Sequence, residues 1–331
     1  MDITLNSVMK QTFNDYEILV SDNASTDDSV EVIKKYCSIS NAIKYKVNPI
    51  NIGFAGNLDE VGQLATGEWM IMLSSDDVIK ENALFEYDKF INQIPDSQKF
   101  AFCCTFEKID GDGNFLEFLS AEKSPVWTND DVDEKLSGLM GYTVYKVAAH
   151  EMLNRCLHKF INPFNFASTC YKAIEYLNIG KYGGGRLYNP DKWFHWKLLN
   201  TVDYVYFLDV PAFQYRWHNN NQVALQADNQ TLRYWMDEYR NSFEIDDKML
   251  ARANMGREQI KTQFVRRVIY ASMYTQYLRK NFILAKRIFH FGLSCYPKQM
   301  KQSPWHIVFS IILFNKIIAS ICHPVVSLFK K

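Results

Sequence analysis

Two acidic clusters stand at positions where their chemistry can be shared. Asp22, Asp27 and Asp28 follow the apolar run Tyr16-Glu17-Ile18-Leu19-Val20, and Asp76-Asp77 follow Trp69-Met70-Ile71-Met72-Leu73. Four or five carboxylates facing one crevice repel each other unless a cation lies between them, so the pattern points to a divalent metal with oxygen ligands. The same residues have plainer uses. Asp22 can start an Asx turn, and capping of the next helix is the favoured reading for Asp27 and Asp28. Asp76 and Asp77 can cap a helix over 78–90, a role compatible with holding a metal.

Bringing the clusters together is the task of the elements around them. The apolar runs at 16–20, 42–47 and 69–73 read as strands. Val30, Ile33 and Tyr36 recur at helical spacing, and 57–64 and 83–94 read as further helices. Strand, helix, strand, helix predicts an α/β fold, with a mostly parallel sheet covered on both faces. In such sheets ligands sit outside the carboxyl ends of the strands, so both clusters are expected on one rim. Residues 100–230 are less regular. They offer a strand at 100–106, a hairpin turn over 107–114, a helical or loop stretch at 127–158, a helix at 190–199 and a strand at 205–208. From about 229 onward the pattern is helical, with Ile260, Phe264, Val268, Tyr270, Tyr274 and Leu278 near three- and four-residue steps.

The chain has 331 residues, 47% of them hydrophobic and 15% aromatic, which excludes a disordered protein. Its 37 Lys+Arg and 37 Asp+Glu cancel, which argues against a nucleic-acid partner. The zero is a sum of opposites. Residues 1–230 hold 20 basic and 31 acidic residues, net −11, and 231–331 hold 17 and 6, net +11. Seven cysteines without a C-x-x-C pair read as small buried residues of a reduced compartment. No secretory signal is visible, so cytoplasmic residence is expected. From Arg257 to Lys331 there are 13 basic residues against Glu258 alone, more than solubility requires. The apolar stretch 305–329 is interrupted by Asn315-Lys316 and His323-Pro324, whereas a spanning helix wants about 20 uninterrupted apolar residues. A helix lying at the inner face of the cell membrane, its basic residues at anionic headgroups, is the expectation.

The phrase from Leu5 to Phe13 (LNSVMKQTF) and that from Tyr16 to Asp27 (YEILVSDNASTD) resemble the opening of the family 2 glycosyltransferases of GT-A fold. Asn51-Ile52-Gly53-Phe54-Ala55-Gly56-Asn57 and the stretch from Ala65 to Asp77 (ATGEWMIMLSSDD) are similar to that family's next two motifs. Three motifs in order between Leu5 and Asp77 make the match specific. Weaker similarity runs through Asn178-Ile179-Gly180-Lys181-Tyr182-Gly183 and Asp191-Lys192-Trp193-Phe194 to Tyr215-Arg216-Trp217-His218. The basic tail lies outside it.

The resemblance implies an inverting hexosyl- or N-acetylhexosaminyltransferase that uses a metal-bound nucleoside-diphosphate sugar, a UDP-sugar above all. The implied acceptor is a saccharide or lipid-linked hydroxyl in bacterial surface-polysaccharide synthesis. It assigns nucleotide contacts to Asp22, Asn23, Asn51, Gly53, Asp76 and Arg216, with Asn51 and Gly53 acting more as shapers of the pocket. It assigns Mg²⁺ or Mn²⁺ to Asp76, Asp77 and His218, and the general base to Asp191, where Pro190 replaces the usual Glu. Ser74 stands at the first acidic position of the metal motif, which implies a weaker metal site. The family also places an apolar strand ahead of the first helix found here. A catalytic domain over 1–228, short of that central strand, leaves unpaired edges on two neighbouring strands. A start site misplaced by about 15 residues or a truncated, inactive relative each accounts for this. Residues 229–331 form the basic helical region. The alternative enzyme class is a sugar nucleotidyltransferase on a related sheet, which carries a glycine-rich loop after its first strand.

Overall fold

The computed structural model describes residues 1–183, 190–218 and 232–314. These form two compact units. The first comprises 1–153 and 162–218, and the second comprises 154–161 and 232–314.

The first unit opens with helix α1 (Asp2–Met9), strand β1 (Ile18–Asp22), helix α2 (Ser29–Ile39), strand β2 (Ile43–Val47) and helix α3 (Phe54–Gly62). Alternation along β1 turns Ile18 and Val20 to one side. The helical spacing of Ile33 and Tyr36 on α2 sets them against that side, with Leu5 of α1 and Ile43 of β2. Burying each such aliphatic side chain contributes about 1.5–3 kcal/mol, which pins the register of a two-stranded parallel ladder, Ile18 opposite Ile43.

A separate seven-stranded sheet follows. Strands β3 (Trp69–Ile71) and β4 (Val78–Ile79) precede helix α4 (Ala83–Ile91), and β5 (Phe100–Ile109) and β6 (Phe115–Leu119) form a hairpin. After helix α5 (Glu134–Met140) come β7 (Val144–Ala148), helix α6 (Ala149–Lys159), β8 (Cys170–Lys172), helix α7 (Ala173–Asn178), helix α8 (Pro190–Leu199) and β9 (Tyr204–Arg216). The order is β3-β8-β5-β9-β4, with β6 on β5 and β7 on β9. Tyr87 and Phe90 of α4 interlock with Phe100, Phe102, Tyr206 and Phe213 to form its core.

The strand–helix alternation holds, but the expectation of a mostly parallel sheet does not. Parallel pairing is confined to β1 with β2 and β5 with β9, and the other ladders are antiparallel. Short antiparallel strands β4, β7 and β8 carry too few residues to announce themselves, and β7 lies inside a stretch read as helix or loop. Strand β9 runs through Pro211 to Arg216, whereas the sequence reading stopped at 208. Among the described ladders β1 pairs only with β2, and β3 only with β8. Each therefore has one unpaired edge among the described residues.

Glu17 ties the two sheets together at the entry to β1. Its Oε1 accepts from Thr66 N, Thr66 Oγ1 and Gly67 N at 2.6, 2.8 and 3.2 Å, just ahead of β3, and its Oε2 accepts from Lys44 at 3.0 Å. Burial opposes the charge, but these donors together hold the Glu17 carboxyl down at about 2 against an ordinary 4.5. A depressed acid stabilises the fold fully above its unfolded pKa and loses that contribution as pH falls through the folded one. With the side chain 21% exposed, Glu17→Gln is expected to cost about 2 kcal/mol at pH 7. The deficit should shrink between pH 4.5 and 2. Chemical denaturation across that range checks it, and a pH-independent deficit would count against the assignment.

The second unit is helical: α9 (Leu232–Glu244), α10 (Asp247–Arg252), α11 (Arg257–Phe264), α12 (Ala271–Leu278), α13 (Phe282–Cys295), α14 (Pro297–Gln302) and α15 (Pro304–Phe314). A π-helical turn, Val265–Tyr270, joins α11 to α12, so Ile260, Phe264, Val268 and Tyr270 are all buried although the last step breaks α-helical register. On α15, Phe309, Ile312 and Leu313 are buried, and Phe309 stacks on Tyr270. Ile307, Val308 and Ile311 stand exposed on the remaining face, with Trp305 beside them. Among the described residues no helix is long and apolar enough to cross a membrane. Residues 315–329 of the proposed interfacial segment, and the terminal lysines, lie outside the described residues.

Candidate functional site

The residues singled out in sequence fall into three groups. The first lies at the carboxyl end of β1. Asp22 is 3% exposed, and its Oδ2 accepts from Ser25 N at 2.9 Å, the Asx turn that was the plainer reading. Asn23 stitches that turn to the loop before α3: its Nδ2 donates to Asn51 Oδ1 at 3.0 Å and to Gly53 O at 3.3 Å, and its Oδ1 accepts from Ile52 N at 2.9 Å. Asn51 Oδ1 also accepts from Gly53 N, and Gly53 has φ +80°, a conformation costly for any residue with a Cβ. Asn51 and Gly53 thus shape the loop. A polar set behind them centres on Asn57, the last residue of the Asn51–Asn57 motif. Asn57 Oδ1 accepts from Ser21 Oγ at 2.7 Å and Asn48 Nδ2 at 2.9 Å, and Asn57 Nδ2 donates to Ser21 O. At the start of α2, Asp27 accepts from Ser29 N at 3.0 Å, while Asp28 makes no side-chain cap bond.

The second group gathers between β3 and β4 and at the end of β9. Arg216 holds it. Its backbone N donates to Asp77 Oδ1 at 3.1 Å, its Nε to the Asp76 carbonyl at 3.1 Å, and its Nη1 to the carbonyls of Asp110 and Gly111 at 3.3 and 3.0 Å. The guanidinium clamps the Asp76-Asp77 turn and the β5–β6 turn to the end of β9. Asp77 is 1% exposed. Burial, and then the neighbouring Asp76 charge, push its carboxyl up to about 7 against the pull of Arg216. Asp76 differs: it is open to the surface, and its Oδ2 lies 3.1 Å from His218 Nε2.

The third group surrounds Asp191 in the first turn of α8. Asp191 Oδ2 accepts from Asn162 Nδ2 at 2.9 Å, and Asn162 Oδ1 meets His195 Nδ1 at 2.8 Å. Burial raises the Asp191 pKa, opposed by Lys192 and by the Asn162 bond. Neither Asn162 nor His195 belongs to a motif, and the sequence reading missed both. A row of rings links this helix to the Gly53 loop. Phe54 faces Phe166 at 5.9 Å, Phe166 faces Tyr182 at 6.0 Å, and Tyr182 stacks on Phe194 of α8 at 4.2 Å. Phe194 and Trp196 are therefore core residues.

This arrangement corrects the picture of several carboxylates crowding one crevice. Asp22, Asp27 and Asp77 accept from backbone N–H groups, which relieves their charge locally. Among the described residues no three His, Cys, Asp or Glu side chains meet as a ready metal-binding group. What fits a cation is the open pair Asp76 and His218, an oxygen and a nitrogen on one side. Mg²⁺ is commonly held by one or two carboxylates together with substrate phosphates, and Asp76 supplies one.

Residues 1–156 match the family model described as glycosyl transferase family 2. Among curated proteins, the glycosyltransferase GlyG of Streptococcus pneumoniae is 22% identical over 226 residues, 67% of each chain. The abequosyltransferase RfbV of Salmonella typhimurium is 31% identical over 131 residues, 39% of this chain and 38% of that protein. Most of the curated relatives are thus matched over well under two thirds of their length. Of solved structures, Staphylococcus aureus TarS 1–349 in complex with UDP-GlcNAc superposes with a TM-score of 0.63 at 16% identity, covering 98% of this chain and 85% of that one. That likeness shows a shared fold.

Proposed function

We propose, from the match of residues 1–156 to the glycosyl transferase family 2 model, that the chain is an inverting transferase moving a hexose or N-acetylhexosamine from a UDP-sugar to an acceptor hydroxyl in surface-polysaccharide synthesis. The observation that carries this reading is the exposed Asp76–His218 pair, fixed by the Arg216 clamp at the end of β9. The sugar nucleotidyltransferase alternative is set aside, because the family match covers the segment that bears Asp22 and Asp76.

The roles follow from chemistry and position. With Oδ2 committed to Ser25, Asp22 has Oδ1 for a base N–H, and Asn23 with the Asn51–Gly53 loop shapes the wall beside it. Asp76 and His218 would hold Mg²⁺ or Mn²⁺ against the diphosphate, where the ion neutralises charge developing on the leaving group. Buried Asp77 supports them by fixing the Arg216 backbone. Arg216 itself positions the turn, and its positive charge lies where a diphosphate would benefit. Asp191, desolvated and of raised pKa, takes the proton from the acceptor hydroxyl as the sugar carbon is attacked from the opposite face. UDP is preferred as the nucleotide by analogy with TarS, whose solved complex holds UDP-GlcNAc.

A screen of the full-length protein against a panel of nucleotide sugars, read as free nucleotide released with Mn²⁺ present, tests this. Release from a UDP-sugar is expected. Neither release nor binding of any nucleotide sugar would sink the reading.

We further propose that the helical region rests on an anionic membrane surface, so that a lipid-linked acceptor is presented nearby. The exposed stripe of Ile307, Val308 and Ile311 with Trp305 on α15, in a segment of strong basic excess, supports this. Ile307→Glu with Ile311→Glu should abolish co-sedimentation with phosphatidylserine-containing vesicles and leave nucleotide release intact. Undiminished sedimentation would exclude this face.

A further inference from the structure

We propose that Asn162 is the positioning residue of Asp191, and that buried His195 fixes the orientation of the Asn162 amide. The inference rests on Asp191 serving as the general base.

Asp191 and His195 are four residues apart, on one face of α8, and Asn162 bridges them with bonds of 2.9 and 2.8 Å. The chemistry leaves one assignment. A carboxylate accepts, so the Asn162 group facing Asp191 is the amide N–H, and the group facing His195 is the amide oxygen. His195 must then donate through Nδ1, which leaves Nε2 as a bare acceptor. That nitrogen is buried with no hydrogen-bond partner among the described residues, and the His195 side chain is fully enclosed, with Phe164 edge-on at 5.3 Å. Burial holds the ring neutral, its pKa pushed down to about 3, so the same tautomer persists across the working pH range. A flipped amide would set its oxygen against the Asp191 carboxylate and its N–H₂ against the His195 N–H. His195 thus acts as a latch with one setting.

The consequence reaches the base. The Asn162 N–H points at Asp191 Oδ2 and the His195 N–H polarises that amide through its oxygen, so the carboxylate is oriented and its charged form is favoured. Lys192 on the same helix works in the same direction, while the Tyr182 hydroxyl faces Asp191 from the adjoining loop and burial opposes ionisation. Asn162 therefore opposes the rise that burial imposes on the acid. It touches no reacting atom and acts through Asp191.

The test is a titration of Asp191 in protein carrying ¹³C-labelled aspartate, its resonance assigned by comparison with Asp191→Asn. In Asn162→Ala the Asp191 midpoint should rise by on the order of one pH unit. The acid limb of the pH profile for UDP release from UDP-GlcNAc should move with it. His195→Phe, which keeps the ring volume and removes the latch, should shift both in the same direction by a smaller amount. Asn162→Gln, which retains the amide, should shift less than Asn162→Ala. Folding of each variant is verified by the unchanged resonances of Asp22 and Asp76. An unmoved Asp191 midpoint in Asn162→Ala overturns the inference. Wild-type turnover in Asp191→Asn overturns instead the reading on which it rests, and the two outcomes are separable because the titration needs no turnover.

Discussion

Asp76→Ala is expected to lower Mn²⁺-dependent nucleotide release by about 10³-fold while leaving the fold intact. Two observations separate its role from that of its neighbour. Arg216 Nε bonds the Asp76 carbonyl rather than its carboxylate, so the clamp survives removal of the side chain. The carboxylate itself is more than a third exposed and contributes little to stability. On the proposed reading the loss is one of two protein ligands to a cation whose effect on leaving-group charge would amount to several kcal/mol, and each 1.4 kcal/mol is a factor of ten. Raising Mn²⁺ should recover part of the rate, because His218 and the diphosphate remain as ligands. Retention of more than a tenth of the rate at low Mn²⁺, with unchanged metal dependence, would remove Asp76 from the metal's surroundings. Asp77 should behave otherwise: buried and bonded to Arg216 N, its loss should show first as a lower melting temperature.

The contrast between Asp76 and Asp77 marks the limit of what the sequence made legible. Adjacent acids after a strand announce a site, but their side chains point in opposite senses, and only the fold assigns one to solvent and the other to the core. Asp22 and Asn23 were legible because a strand followed by turn-forming residues has few conformations, and alternation along β1 fixed which residues were buried. The α/β alternation of the first 91 residues came through for the same reason. Strand β7 did not, because five residues without a flanking turn signal leave no period to read, and its place is set by pairing with β9. Arg216 was read as a nucleotide contact, and what the sequence did not show is that its guanidinium donates to three backbone carbonyls drawn from two turns distant in sequence. Asn162 and His195 had no signature, because the network they build depends on packing that brings together residues 33 positions apart. Local conformation written in adjacent residues was readable, and contacts assembled across the fold were not.

Asp191→Asn should separate catalysis from stability in opposite directions. As general base the carboxylate is worth about 10²–10⁴ in rate, so kcat for transfer should fall by about 10³-fold, with the KM for donor within a few-fold of wild type, since Asp191 takes no part in holding the nucleotide. Stability should hold or rise. Burial raises the folded pKa of Asp191 above its unfolded value, so the folded state binds the proton more tightly than the unfolded chain. For such an acid the linkage runs against folding as pH climbs from the unfolded pKa of about 4 through the folded one. Above that window the wild type bears the cost of a partly desolvated carboxylate, offset in part by Lys192 and Asn162, and Asn, which still offers an oxygen to Asn162 Nδ2, does not. The variant should therefore melt higher than wild type at pH 8, and the two curves should converge as pH falls toward 4. An acid used only to start α8 would give the reverse, a variant of normal activity and lower stability, because its charge would be favoured at the helix N-terminus. Measuring turnover and melting temperature on one pair of proteins across pH 4 to 8 distinguishes a base retained for chemistry at a cost in stability from a helix cap.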